Sequence, residues 1–91
     1  MLLSLPLGDT MPALAPVPPR VLKRILELDG YECVAEDATC WILLSKNHPA
    51  VIPKIGDLVA LEIMDSVLSP SQMSNRRYFE LLEQARKDCG L

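Results

Sequence analysis

The clearest pattern along the chain is an amphipathic period that begins at Pro19. Apolar residues recur at three- and four-residue spacing, and charged residues occupy the positions between them. Proline suits the first turn of a helix, and Gly30 suits the left-handed position that closes one. We therefore predict a helix over residues 19–29. Its buried side consists of Val21, Leu22, Ile25, Leu26 and Leu28.

Two short segments rich in aliphatic and aromatic residues follow the helix, at residues 31–36 and 39–44. The pair Asp37 and Ala38 between them favours a tight turn, so these segments predict a β-hairpin. Side chains alternate between the two faces of a strand. The first face is wholly apolar and is predicted to face the core. It carries Tyr31, Cys33, Ala35, Cys40, Ile42 and Leu44.

The second face of this hairpin also carries large apolar residues. A two-residue turn pairs Glu36 with Thr39, which places Val34, Trp41 and Leu43 together on this face. Two helices cover only one face of a small sheet, so we predict a second layer over these three side chains. The predicted cover is a second copy of the chain or another protein, and the alternative is the third helix or the N-terminal arm.

The pattern after the hairpin predicts one more strand and a second helix. Residues 50–53 form a short third strand, which Pro53 and Gly56 end. Asp57 is suited to cap a helix that runs to about residue 68. Its predicted buried residues are Leu58, Leu61, Met64, Val67 and Leu68.

A third helix completes the chain, and it has two possible starting points. Ser69 and Gln72 match a capping box with Pro70 at the first helical position, which predicts a helix over about residues 70–89. Ser74 is the rival cap, but it places two arginines in the first turn, where the helix dipole disfavours them. We favour Ser69. The apolar side consists of Met73, Tyr78, Leu81, Leu82, Ala85 and Cys89.

The N-terminal segment differs from the rest of the chain because it is rich in proline. Residues 1–19 hold five of the eight prolines, so residues 1–18 are predicted to be an arm outside the domain. The segment has no basic start, and Asp9 interrupts its apolar run. We therefore expect neither a secretory leader nor a membrane-spanning helix. Met11 is an alternative translation start.

Composition places the remaining residues, 19–91, in one packed domain. The chain has 91 residues, of which 49% are apolar, and a net charge of −3. Its three cysteines, an odd number without Cys-x-x-Cys spacing, favour reduced thiols in the cytoplasm. With His48 as the single histidine, no metal site is expected, and isolated glycines exclude a phosphate loop. We predict no cofactor.

These elements predict an α+β domain of α-β-β-β-α order with an added C-terminal helix and one three-stranded antiparallel sheet. Several short motifs in this order resemble the HicA (YcfA-like) family of small mRNA-interferase toxins, whose fold is similar to double-stranded RNA-binding domains. The resemblance spans roughly residues 18–83. It rests on Pro18-Pro19-Arg20, Leu28-Asp29-Gly30-Tyr31, Val51-Ile52-Pro53, Leu58, Val67-Leu68 and Tyr78-Phe79-x-Leu81-Leu82.

The resemblance implies endoribonuclease activity through a glycine-serine-histidine motif, and this chain departs from that motif. Ala38, Thr39 and Cys40 occupy the matching positions, so no catalytic residue is assigned. An unperturbed thiol titrates well above the range of imidazole and is a poor general base. We therefore predict a non-catalytic interaction module. The alternatives are an mRNA interferase of a toxin–antitoxin pair and an RNA-binding domain that does not cleave.

Basic residues on the first helix and at the ends of the meander are the candidate RNA contacts. Acidic residues outnumber basic ones, twelve to nine, so RNA binding is expected to be weak at most. The resemblance also implies a HicB-like antitoxin as a possible protein partner. The candidate RNA-binding residues are Arg20, Lys23, Arg24, Lys46 and Lys54.

Overall fold

Residues 14–45 and 48–90 are described by a computed structural model. They form three helices and three strands, and the strands make one antiparallel sheet in the order β1-β2-β3. The predicted α+β class, element order and sheet are confirmed at this level. The elements are α1 (Pro19–Leu28), β1 (Glu32–Glu36), β2 (Cys40–Ser45), β3 (His48–Pro53), α2 (Leu61–Ser71) and α3 (Asn75–Asp88).

The first helix, α1, begins and ends as its sequence predicts. Gly30 follows it with a φ of 103°, a left-handed conformation that glycine adopts without a Cβ clash. The Tyr31 amide donates to the Leu26 carbonyl at 2.9 Å, and the Gly30 amide donates to the Glu27 carbonyl at 3.1 Å. These two bonds form a Schellman motif. The motif turns the chain so that Tyr31 becomes part of the core.

The turn between β1 and β2 lies one residue later than predicted. Asp37 and Cys40 flank the turn, and the Asp37 amide donates to the Cys40 carbonyl at 3.0 Å. Glu36 consequently pairs with Trp41 and not with Thr39. The Asp37 carboxylate explains the shift, because its Oδ1 atom accepts from the Thr39 amide at 2.7 Å and from the Cys40 amide at 2.9 Å.

The predicted assignment of sheet faces is wrong for β2. Leu43 is fully buried beneath the helices, whereas Leu44, which was predicted to face the core, is largely exposed. A bulge in β1 between Cys33 and Ala35 is the reason. Cys33 packs against the core as predicted, but the extra residue reverses the alternation before Ala35. The side of β2 that carries Leu43 therefore faces the core.

Helix α2 begins later than predicted. Its first residue is Leu61, and Asp57 lies in the preceding bend and does not cap it. The Val59 amide instead donates to the Val17 carbonyl at 2.8 Å, which holds this segment in an extended conformation. Leu58 and Leu61 are about half exposed, so their predicted burial is wrong, while Met64 and Val67 are buried as predicted.

The boundary between α2 and α3 follows the rival interpretation. Helix α2 continues through Pro70 and ends where Gln72 takes a left-handed conformation, with a φ of 57°. Ser74 caps α3, since its hydroxyl accepts from the Arg77 amide at 3.1 Å. The capping box predicted at Ser69 is therefore wrong. Pro70 lies in the last turn of α2, where its missing N–H interrupts few of the helix's hydrogen bonds, so the helix continues through it.

One hydrophobic cluster joins the helices to one side of the sheet. Helix α3 packs on α1 through Tyr78, Leu81 and Ala85, and the sheet contributes Leu43 and Ile52. Val17, which was predicted to lie in an arm outside the domain, is buried in this cluster. The rest of that arm up to residue 13, together with residues 46, 47 and 91, lies outside the described residues.

Candidate functional site

The side of the sheet that faces away from the helices is the largest candidate site. Ile42 is its centre, because it pairs with Ala35 on β1 and with Val51 on β3. Residues directly opposite each other in an antiparallel sheet project to the same side. We name this surface the open face. It consists of Ala35, Cys40, Ile42, Leu44, Pro49, Val51 and Pro53, with Glu32 at its edge beside Leu44.

The open face is apolar and accessible to solvent. Leu44 is 42% exposed and Val51 is 51% exposed. Val34, in the bulge of the adjacent strand, is 54% exposed. A contiguous exposed apolar patch of this kind is typical of an interaction surface.

The two edges of the sheet are poorly suited to pairing with another strand. Both outer strands carry a feature that interrupts a regular ladder of hydrogen bonds. The bulge between Cys33 and Ala35 distorts β1. Pro49 and Pro53 on β3 have no backbone N–H to donate. Contact through the open face is therefore favoured over extension of the sheet.

The predicted interface residues do not share one surface. Leu43 belongs to the core, and Trp41 is half-buried against the core on the same side of the sheet. Val34 is exposed in the bulge. The predicted interface of Val34, Trp41 and Leu43 is corrected accordingly, because the bulge turns Trp41 and Leu43 toward the helices. The apolar residues of β2 on the open face are Leu44, which is exposed, and Ile42, which is half-buried.

Two lysines flank the ring of Trp41. The Lys23 Nζ atom lies 5.5 Å from the ring centroid, and the Lys54 Nζ atom lies 5.1 Å from it. Both distances fall within the range of cation–π attraction. Lys54 also donates to the Glu36 carboxylate and to the Asp37 carbonyl, each at 2.6 Å. The two lysine side chains therefore cover the Trp41 ring at the edge of the core.

The candidate RNA-binding residues are largely paired with carboxylates. Lys23 lies 3.0 Å from Glu27, and Arg24 lies 2.8 Å from Asp88. The hydrogen bond from Lys54 lowers the pKa of Glu36. In each pair the carboxylate partly neutralises a positive charge that would otherwise attract an RNA phosphate. Of the remaining candidates, Arg20 is exposed on α1, and Lys46 lies outside the described residues.

The hydrogen bond from Arg24 lowers the pKa of Asp88. A second hydrogen bond, from Gln84, has a smaller effect in the same direction. The same Asp88 contact raises the pKa of Arg24. The carboxylate and the guanidinium therefore both stay charged across the neutral range. This pair joins α1 to α3 on the side of the molecule away from the open face.

The geometry separates the groups that nucleophilic catalysis requires. Cys40 pairs with Pro53 at one end of the β2–β3 ladder, and His48 pairs with Ser45 at the other end. Five strand positions separate the ends, which corresponds to about 16 Å. Cys40 is half-buried and lies on the open face. Its predicted burial in the core is wrong, because the bulge turns this side of β2 outward.

Within residues 14–45 and 48–90, no three histidine, cysteine or acidic residues cluster closely enough to hold a metal ion. The helices of this part of the chain are also too short or too polar to span a bilayer. The three free cysteines lie at Cys33, Cys40 and Cys89.

Comparison with protein-family models, with curated proteins and with solved structures finds no match to this chain. The resemblance to the HicA family therefore stays a prediction. Any assignment of function rests on the residues of the chain and on their arrangement.

The sequence pattern predicted an uncovered apolar sheet face, but it missed that Leu44 and Val51 are exposed on it and that Ile42 lies half-buried between them. The burial of Ala50 and Ile52 on either side of exposed Val51 appears only in the structure. In the sequence, residues 50–52 of β3 and residues 41–44 of β2 are all apolar. Neither strand therefore shows the alternation that distinguishes a covered side from an uncovered one.

Proposed function

We propose that this protein is a non-catalytic interaction module that binds protein through the open face of its sheet. The observation that carries the proposal is the accessible apolar surface around Ile42, Leu44 and Val51. Removing such a surface from water is favourable by about 25 cal/mol per Å². A protein partner with its own apolar surface gains this free energy, whereas a nucleic acid backbone does not.

Site-specific photocrosslinking tests this function. A benzophenone amino acid is placed at Val51, which is exposed on the open face beside Ile42, and the control carries it at Glu62, which is exposed on α2. We expect covalent protein adducts from position 51, in purified protein or in cells, and few from position 62. Equal labelling from both positions, or none from position 51, contradicts an interaction function of the open face.

We also propose that the protein does not cleave RNA. Cys40 occupies the position at which the HicA family carries its histidine, and the lone His48 is at the opposite end of the strand pair. We expect no cleavage of mixed mRNA by the purified protein. Cleavage that is lost in Cys40→Ala contradicts the non-catalytic assignment. Cleavage gained in Cys40→His supports the resemblance to that family.

A further inference from the structure

We propose that the partner of the open face is a second copy of this chain, packed face to face about a two-fold axis over β2. This inference rests on the proposed function and names its partner. In such a dimer Ile42, Leu44 and Val51 of each copy are covered by the same surface of the other. The two sheets then form a sandwich whose layers lie about 10 Å apart.

The charge of the open face fits a copy of itself. Its residues are apolar apart from Glu32, which lies at the edge beside Leu44. Two identical faces therefore meet without burying a charged side chain at the centre. Burial of unpaired charge is the main cost that prevents many surfaces from associating with themselves. A strongly acidic or basic partner, by contrast, finds no complementary charge near Ile42.

The size of the open face is sufficient for a weak symmetric dimer. Its strands have five or six residues each. At about 3.3 Å per residue and 4.8 Å between strands, they present an area of about 18 by 14 Å. Each face therefore projects about 250 Å², and two faces cover about 500 Å² or somewhat more in total, which places the contact among small, transient interfaces. We therefore expect a weak, reversible dimer.

The edges of the sheet direct association to the face. A bulge in β1 and prolines at positions 49 and 53 of β3 disfavour continuous pairing between copies. Two-fold symmetry also limits the assembly to a dimer, because each open face is covered by that of its partner and none is left free for a third copy. Filament growth by repeated strand addition is not expected.

The competing occupant is the N-terminal segment of the same chain. Its apolar residues before Pro6 are chemically suited to the open face. The described chain, however, begins at Leu14, which lines a small cavity with Leu68, Met73 and Tyr78 on the helical side of the molecule. A segment that starts there must pass around the domain to reach the other side of the sheet. This position favours the second copy.

Sedimentation equilibrium over a micromolar concentration range tests the proposal. We expect a monomer–dimer equilibrium for the full chain. Val51→Lys brings a charge into the interface and should weaken dimerisation by at least about tenfold in affinity. Ile55→Lys is the matched control, since Ile55 is 71% exposed but lies beyond β3. It should dimerise like the unmodified protein.

Val51→Thr serves as a second variant that preserves the β-branched shape, and circular dichroism establishes that each variant is folded. We expect intermediate affinity from Val51→Thr. A full chain that stays monomeric, or a folded Val51→Lys that dimerises normally, overturns the proposal. If only a chain lacking residues 1–13 dimerises, the N-terminal segment occupies the open face and the proposal is also overturned.

The mass of the photocrosslinked adducts separates this inference from the proposed function. Adducts from position 51 at twice the mass of the chain support the dimer. Adducts with other proteins alone contradict the dimer but leave the interaction function standing. The absence of adducts from position 51 contradicts both.

Discussion

Leu43 and Leu44 are neighbours on β2, yet Leu43 is fully buried beneath the helices and Leu44 is 42% exposed. The same contrast holds on β3, where Ile52 is buried and Val51 is exposed. Both sides of the sheet are therefore apolar, but only one is part of the core. Hydrophobicity alone does not decide which side is covered, and the uncovered side retains an apolar surface that can bind a partner.

The contrast has a specific origin in β1. A regular strand that begins with Tyr31 and Cys33 in the core also turns Ala35 inward. The bulge after Cys33 breaks this alternation, so that Ala35 pairs with Ile42 on the open face. One additional residue in β1, together with the packing of the helices, thus decides which side of the largely apolar central strand joins the core and which side becomes the candidate interface.

The largest expected difference between the two faces comes from truncating the adjacent leucines. Leu43→Ala removes a fully buried side chain and should lower the free energy of unfolding by about 2–5 kcal/mol. Leu44→Ala removes a side chain of the same size from the open face and should cost less than about 1 kcal/mol at dilute protein concentration. Urea denaturation of both variants measures the difference. Equal losses contradict the assignment of the two faces.

The Asp37 turn, which fixes the register of the hairpin, is expected to contribute less to the free energy of unfolding than Leu43 does, and its contribution depends on pH. Hydrogen bonds from Thr39, and then from Cys40, lower the pKa of Asp37 from 3.8 to about 2. A lowered folded-state pKa means that the ionised carboxylate stabilises the fold above pH 3.8. This contribution is lost as the pH falls from 3.8 through about 2.

Asp37→Asn should therefore lower the denaturation midpoint at pH 7, and the difference from the unmodified protein should shrink toward pH 2. Asp57→Asn removes the same charge from an exposed position outside this turn and is the control. Thermal or urea unfolding at several pH values measures the effect. A difference between Asp37→Asn and the unmodified protein that does not change with pH contradicts a role for the ionised carboxylate.

Tyr78 on the covered side should tolerate the loss of its hydroxyl. Its ring is buried, and the hydroxyl has no hydrogen-bond partner among the described residues. Burial also raises the pKa of Tyr78 above its ordinary value of 10.0. Tyr78→Phe removes an unsatisfied polar atom and should change the free energy of unfolding by about 0 to 1 kcal/mol in the stabilising direction. A clear loss of stability in equilibrium unfolding contradicts this environment.

The smallest expected effect concerns Trp41, because it lies on the covered face. Its fluorescence emission maximum should not change when the protein is diluted through the dimer–monomer transition. A tryptophan at position 51, introduced as Val51→Trp in a Trp41→Phe background, should shift to longer wavelength under the same dilution. A shift from Trp41 in the unmodified protein contradicts its separation from the interface.

Local sequence determined those parts of the fold in which the interacting groups are close along the chain. Helix α1 is an example, because its apolar period, Pro19 and the Gly30 corner all lie within one short segment. The existence of the hairpin and of the third strand follows for the same reason. The sequence also predicted that both sheet faces need cover, since β2 is apolar on both sides, but it named the side of Trp41 and Leu43, which the helices cover, as the one left open.

Tertiary structure decided the choices that depend on distant residues. Val17 holds Val59 in an extended conformation and delays the start of α2, although Asp57 is a good local cap. The bulge in β1 and the packing of the helices assign Leu43 to the core and Leu44 to the open face. Two apolar neighbours have the same intrinsic preference for burial, so they are distinguished only by the register of the sheet and the position of the covering helices.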